Sequence, residues 1–288
     1  MNNTIINIIA IGDIHNHWVE AEQIASLYDK THTVVFTGDY FDDFGDTAID
    51  AEQTARWLKE SLDKPNRIHL MGNHDINYSY LNYKKDENGH MQNIYNCSGY
   101  DMKKDDAINR IMEEKDWDKI KFAHFGNGWW FSHAGFHPNW FEHPIKGMDN
   151  EAILEKLAKA TEDYHNRTWN EIIGAVGRCR GGMQRRGGIL WLDDYNESFV
   201  MSNFKQVYGH TPTMGKISIN TDDDIKNGIN INIDCGLMQV LEISEDGSYN
   251  TIDTGLPNFY VAARKKLFND TIKKIGAYDS IYKDLPFV

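Results

Sequence analysis

Five short apolar runs in this 288-residue chain each end in a turn that combines glycine with Asp, Asn or His. The turns are Gly12-Asp13-Ile14-His15, Gly38-Asp39-Tyr40-Phe41-Asp42, Gly72-Asn73-His74-Asp75, Ser132-His133-Ala134-Gly135 and Tyr208-Gly209-His210-Thr211. Apolar runs punctuated by glycine read as buried strands. In an open α/β sheet, functional groups gather beyond the carboxyl ends of the strands, so these breaks can deliver several oxygen and nitrogen ligands to one cleft. The inventory reads as a two-metal hydrolytic centre.

The intervening sequence supports an α/β fold. Residues 4–11, 33–37 and 67–71 are β-rich and alternate with helical patterns at 18–30 and 50–62, which predicts parallel strands joined by helices. Residues 77–127 turn polar and aromatic and read as an insertion at the active-site rim, with a loop at 84–89 and a helix over 105–115. A strand at 128–132, a helix at 151–164 and a strand at 204–208 follow. Alternation at 228–234, 238–243 and 249–252 predicts antiparallel strands of a second sheet, and a helix is expected over 258–275. The whole of 1–288 is read as one domain.

Composition narrows the partners. The 43 acidic against 30 basic residues leave a net charge of −13, which opposes binding to long nucleic acids but leaves room for a local basic patch around a small phosphate ester. Cys97, Cys179 and Cys235 are odd in number and form no Cys-x-x-Cys pair, so reduced thiols are expected rather than a secreted disulfide scaffold. The run from Ile5 to Ile11 has no basic leader and breaks at Gly12-Asp13, as a buried strand does and a signal peptide or membrane span does not. A cytoplasmic protein without a membrane partner is expected.

Donor chemistry can be assigned turn by turn. Asp13 and His15 lie two residues apart, so in extended backbone both side chains point the same way and can chelate one ion. Asp39 offers two oxygens able to bridge a pair of cations, while Asn73, His133 and His210 offer an amide oxygen and imidazole nitrogens. Mixed oxygen and nitrogen donors without thiolate favour manganese, iron or zinc over calcium, without choosing among the three, and two divalent ions are expected. His74 follows a ligand position directly, and its imidazole is suited to protonating a departing oxygen.

The order Asp-x-His, Gly-Asp-x-x-Asp, Gly-Asn-His-Asp, His-Ala-Gly and Gly-His-Thr, closed by Ile231-Asn232-Ile233-Asp234-Cys235-Gly236, resembles the calcineurin-like metallophosphoesterases. It is similar above all to the branch holding the phosphoprotein phosphatases, the phage and bacterial serine/threonine phosphatases and the symmetrical dinucleoside tetraphosphatases. The resemblance implies a four-layer αββα sandwich of two mixed sheets flanked by helices. It implies metal ligands at Asp13, His15, Asp39, Asn73, His133 and His210, with Asp39 bridging, and a catalytic pair in which Asp42 orients His74. It also implies hydrolysis of a phosphomonoester by a metal-bridging hydroxide, with phosphoprotein as the leading substrate and a dinucleoside polyphosphate of the Ap4A type as the alternative. A nuclease and a non-catalytic scaffold rank lower, because the net charge disfavours the first and the full set of site residues disfavours the second.

Asp43 and Met71 stand where the phosphoprotein phosphatases carry arginine, and Asn16 replaces the usual glycine. A substitute anion grip is available in the segment from Gly177 to Gly188, where Arg178, Arg180, Arg185 and Arg186 are interspersed with glycine. The Leu190-Trp191-Leu192-Asp193-Asp194 stretch that follows resembles a family segment near which a substrate arginine lies. His17, His137 and the aromatics at Tyr78, Tyr80, Tyr83, Trp129, Trp130 and Trp140 are expected to serve packing or the rim.

Overall fold

Two five-stranded mixed sheets face each other in the computed structural model, which describes residues 7–140 and 150–260. The first sheet contains β1 (Asn7–Ile11), β2 (His32–Phe36) and β3 (Arg67–His69), with β11 (Gln239–Ile243) and β12 (Tyr249–Asp253), in the order β12-β11-β1-β2-β3. The second contains β6 (Ala123–Gly126), β7 (Trp129–Ser132), β8 (Lys205–Tyr208), β9 (Ser218–Asn220) and β10 (Ile229–Asn232), in the order β6-β7-β8-β10-β9. A separate hairpin pairs β4 (Tyr83–Lys85) with β5 (Met91–Asn93).

Strand periodicity explains the layering. Ile8 and Ala10 point into a core between the sheets, where Val35, Leu70 and Leu241 meet Trp129, Phe131, Val207 and Ile231. Ile9 and Ile11 point the other way, with Val34 and Phe36, into a core shared with α1 (Trp18–Tyr28) and α2 (Ala48–Leu62) through Ala21, Ile24, Ala51, Ala55 and Leu58. With both faces covered, β1 and β2 read as nearly continuous apolar runs. Helix α6 (Asn150–His165) lies against the second sheet, with Asn150 Oδ1 accepting the indole N–H of Trp130 at 2.8 Å. The arrangement is the helix–sheet–sheet–helix sandwich expected from the sequence.

Three details depart from the sequence reading. The strands at 238–243 and 249–252 return to the first sheet, because β11 pairs antiparallel with β1 from Ile8 opposite Ile243 to Ala10 opposite Leu241. In the second sheet β10 runs parallel to β8 and only its other edge is antiparallel. The single helix expected over 105–115 is two, α4 (Met102–Asn109) and α5 (Glu114–Trp117). Asp101 caps the first by accepting the N–H of Lys103 at 2.7 Å, and Asp116 accepts the N–H of Glu113 at 3.0 Å to start the second. Segment 77–127 carries the small hairpin, both helices and β6, which belongs to the second sheet. The helix expected over 258–275 lies, from residue 261 onward, outside the described residues. Among the described residues no helix is long and apolar enough to cross a membrane.

Strand direction decides where the turns arrive. β1, β2 and β3 are mutually parallel, as are β7, β8 and β10, so each triple sends its carboxyl ends to one edge of its sheet. Where β3 begins, a charged strut ties α1 to the sheet. The fully buried Arg67 guanidinium places its N–H groups on Asp29 at 2.7 and 2.8 Å, on Glu22 at 2.5 and 3.0 Å and on Ser61 at 2.9 Å.

Burial works against the Glu22 charge, but hydrogen bonds from Arg67, Lys64 and Trp57 outweigh it and hold the pKa down at about 2. A depressed carboxylate contributes stability that is present above its unfolded pKa and is lost as pH falls through the folded one. Arg67→Met should therefore cost roughly 1.5–3 kcal/mol in denaturant unfolding at neutral pH. It should also flatten the loss of stability between the ordinary glutamate range and about pH 2 that the Glu22 pair generates. A variant with unchanged stability and the same acid profile would show that the strut is dispensable.

Candidate metal centre and active site

Three of the five turns, the first, second and fifth, bring a functional side chain by leaving ordinary backbone geometry. His15, Asp39, Asp42 and His210 have φ of 44°, 50°, 65° and 69°, the left-handed region that non-glycine residues rarely adopt. The expectation that Asp13 and His15 converge through extended backbone is thus corrected: a left-handed turn at His15, held by its N–H to the Asp39 carbonyl at 2.7 Å, brings them together. The Asp39 turn is locked by Asp75, whose carboxylate accepts the N–H groups of Asp39, Tyr40 and Gly72 at 2.8, 2.7 and 2.8 Å. Two of the glycines are needed for approach: a Cβ on Gly72 would overlap the Asp39 carboxylate and one on Gly209 the Asp13 carboxylate.

Two groups of donor atoms result. Asp13, His15 and Asp39 present oxygen and nitrogen atoms within 4.8 Å of one another, and so do Asp39, His133 and His210. Asp39 belongs to both, with Oδ2 lying 3.8 Å from His15 Nε2 and 3.4 Å from His133 Nε2. Asn73 Oδ1 and His210 Nδ1 lie 2.8 and 3.1 Å from the same His133 Nε2. The structure thus brings all six expected ligand positions to one edge of the sandwich.

The proton inventory shows that this cluster fits cations. His133 donates from Nδ1 to the Thr37 carbonyl at 2.9 Å and His15 from Nδ1 to the Asp42 carbonyl at 2.7 Å, which leaves both Nε2 atoms as bare lone pairs. Asn73 is oriented by its amide donating to Cys97 Sγ at 3.0 Å, which turns its oxygen to His133. Lone pairs therefore face lone pairs, and a cation resolves the conflict. Burial first, with the nearby Arg180 charge, depresses the His210 pKa, and burial depresses that of His133, so both imidazoles are neutral, the ligating form. Burial and the neighbouring Asp234 and Asp39 charges raise the Asp13 pKa, a repulsion that bound cations would relieve.

His74 sits at the margin of these donors. Its N–H donates to Asp39 Oδ1 at 3.0 Å and its Nδ1 pairs with Asp42 Oδ2 at 3.0 Å, so Nε2 is the ring nitrogen that Asp42 does not engage. Burial opposes charge on the imidazole, yet Asp39 and Asp42 outweigh it and raise the His74 pKa well above the ordinary value. A cavity of about 570 Å3 opens beside it, lined by His15, Asp39, Asn73, His74 and His210 and walled by Phe44, Trp191 and Tyr260.

The four arginines separate. Arg180 lines the cavity, its Nε 2.9 Å from Asp193 Oδ2 and its Nη2 donating to Thr211 Oγ1 at 2.5 Å. Arg178 and Arg185 are exposed, and neither they nor Arg186 line the cavity. Asp43 pairs with His17 at 3.3 Å, and Met71 is fully buried in the core. His17 also stacks on Phe259 at 4.3 Å, and burial, then Arg186 and Arg185, hold the His137 pKa at about 4.

The residues of this site to which the sequence pattern assigns no role include Asp75, Asp234, Tyr260 and Lys104. Asp75 and Asp234 were visible within the third turn and the closing strand. Asp234 is buried, accepts the Tyr260 hydroxyl at 2.6 Å on Oδ1, and among the described residues has no hydrogen-bond partner at Oδ2. Tyr260 and Lys104 had no sequence signal, because only packing brings them to the cavity.

A sequence profile of the calcineurin-like phosphoesterases matches residues 6–214, and the chain belongs to that family of phosphoric ester hydrolases. Among solved structures, the fold is similar to a protein assigned as a diadenosine tetraphosphatase, at 13% identity over 88% of this chain and 96% of that one, TM-score 0.40. A protein serine/threonine phosphatase from Saccharomyces cerevisiae with similarity to human PP5 aligns at 14% identity over 89% and 82%, TM-score 0.41. A metallophosphoesterase from Sphaerobacter thermophilus aligns at 13% over 86% and 88%, TM-score 0.40. No curated protein sequence matches the chain.

The shared carboxylate makes a test of the two donor groups. Calorimetric titration of metal-free protein with Mn2+ should show two binding events, and Asp39→Asn should weaken both by about tenfold or more, whereas Asp13→Asn should weaken mainly one. Two unchanged events in Asp39→Asn would show that Asp39 serves neither.

Proposed function

We propose that this chain is a di-metal phosphomonoesterase acting on the phosphate ester of an alcohol, with phosphoserine or phosphothreonine in a protein as the favoured substrate. The observation that carries the reading is the His74–Asp42 pair, 3.0 Å between Nδ1 and Oδ2, at the edge of the donor cluster. An alkoxide leaving group needs a proton at departure, whereas a nucleotide phosphate leaving from an anhydride does not. Asp13, His15 and Asp39 would hold one divalent ion and Asp39, Asn73, His133 and His210 the other, manganese being favoured over iron or zinc. Bound there, such ions supply Lewis acidity, acidifying water and offsetting charge on the phosphoryl oxygens.

The remaining roles belong to the chain itself. His74 holds a proton on Nε2 for the departing oxygen, and Asp42 keeps the ring in that orientation through Nδ1. Arg180 is the cationic side chain placed to grip phosphate oxygens, with Asp193 and Thr211 holding its guanidinium at the cavity wall. The aromatic wall of Phe44, Trp191 and Tyr260 favours a second reading, cleavage of a dinucleoside polyphosphate whose base stacks there.

Assaying Mn2+-loaded protein against a phosphoserine peptide, a dinucleoside tetraphosphate and an aryl phosphate decides between the readings. The first should be the best substrate, and preference for the tetraphosphate would overturn that choice. His74→Asn should lose more rate on the phosphoserine peptide than on the aryl ester, and equal losses would remove His74 from the acid role. Arg180→Ala should lower kcat/KM roughly ten- to a hundredfold while Arg178→Ala and Arg185→Ala stay near the parent.

A further inference from the structure

We propose that Lys104, carried on α4, is a positioning residue for His74: its ammonium holds the Asp42 carboxylate in the orientation that grips the imidazole. The inference rests on the reading of His74 as proton donor. Lys104 Nζ donates to Asp42 Oδ1 at 2.9 Å while Asp42 Oδ2 pairs with His74 Nδ1, so one carboxylate connects the lysine to the imidazole. The Tyr78 hydroxyl also reaches Asp42 Oδ1, at 2.7 Å, but its one proton is shared with the Gly99 carbonyl at 3.1 Å. Lys104 is thus the lasting charged partner of that oxygen among the described residues.

The second bond of Lys104 shows why a cation is required. Nζ lies 2.6 Å from Asp46 Oδ1, so two carboxylates of one turn converge on it. Asp46 is fixed from its other side by Asn16 Nδ2 at 2.8 Å, and Asn16 in turn accepts the Thr54 hydroxyl of α2 at 2.8 Å. Without the ammonium, Asp42 and Asp46 repel, and the left-handed backbone at Asp42 loses the contact that holds its side chain against His74. The lysine side chain is only 10% exposed, so packing of α4 delivers the charge without a flexible search.

Lys104→Met should lower kcat on an alkyl phosphate by about ten- to a hundredfold with KM near the parent value, and less on an aryl phosphate. Lys104→Arg should restore most of the loss. Asp46→Asn, which leaves the lysine on Asp42, should stay near the parent. In protein loaded with Zn2+, the His74 Nδ1 proton, identified by its absence in His74→Asn, should give a slowly exchanging imidazole resonance in parent and Lys104→Arg and none in Lys104→Met. A Lys104→Met variant that keeps the resonance, or loses rate equally on both esters or only through KM, would overturn the proposal, as would Asp46→Asn matching it. If the parent hydrolyses no phosphate ester, the phosphatase reading fails, and the resonance still decides whether Lys104 positions His74.

Discussion

Asp13, Asp39, Asp75 and Asp234 are buried together at one edge of the sheet-to-sheet interface, and the surrounding structure is arranged around keeping four such carboxylates out of water. Desolvation and mutual repulsion oppose this cluster strongly. Three backbone N–H groups are spent on Asp75 and the His210 N–H on Asp13. Strained left-handed residues and glycines without a Cβ let those donors approach. What remains uncompensated, lone pairs of neutral imidazoles facing carboxylate and amide oxygens, is the chemistry of a divalent cation site.

The same edge explains how the family's order of donor turns coexists with a different rim. Where phosphoprotein phosphatases resemble this chain least, at Asn16, Asp43 and Met71, the side chains serve structure: Asn16 braces Asp46, Asp43 meets His17, and Met71 fills the core. Positive charge reaches the cavity from elsewhere, through Arg180 on one side and Lys104 on the other. Each is already engaged with carboxylates, Arg180 with Asp193 and Lys104 with Asp42 and Asp46, so its position is set before any substrate arrives.

Much of this was legible in the order of the residues because parallel strands have a fixed polarity. An apolar run ending in a turn must deposit that turn at the carboxyl edge of its sheet, so the order of residues alone groups Asp13, Asp39, Asn73, His133 and His210. The start of α2 was likewise encoded, since Thr47 and Asp50 form a capping box that begins the helix two residues before the apolar pattern suggests. The return of β11 and β12 to the first sheet was not encoded locally, because alternation specifies a strand but not the edge it pairs with.

By itself the sequence determined the strand-and-turn alternation, the identity of the donor side chains and the histidine beside them, all properties of residues close together along the chain. Tertiary structure alone decided which arginine faces the cavity, that Cys97 orients Asn73, that Asp234 and Tyr260 meet at its wall, and that Lys104 reaches Asp42 across 62 residues. Those contacts join segments whose relative placement depends on helix packing over the sheets, and no local pattern of charge or hydrophobicity carries that information.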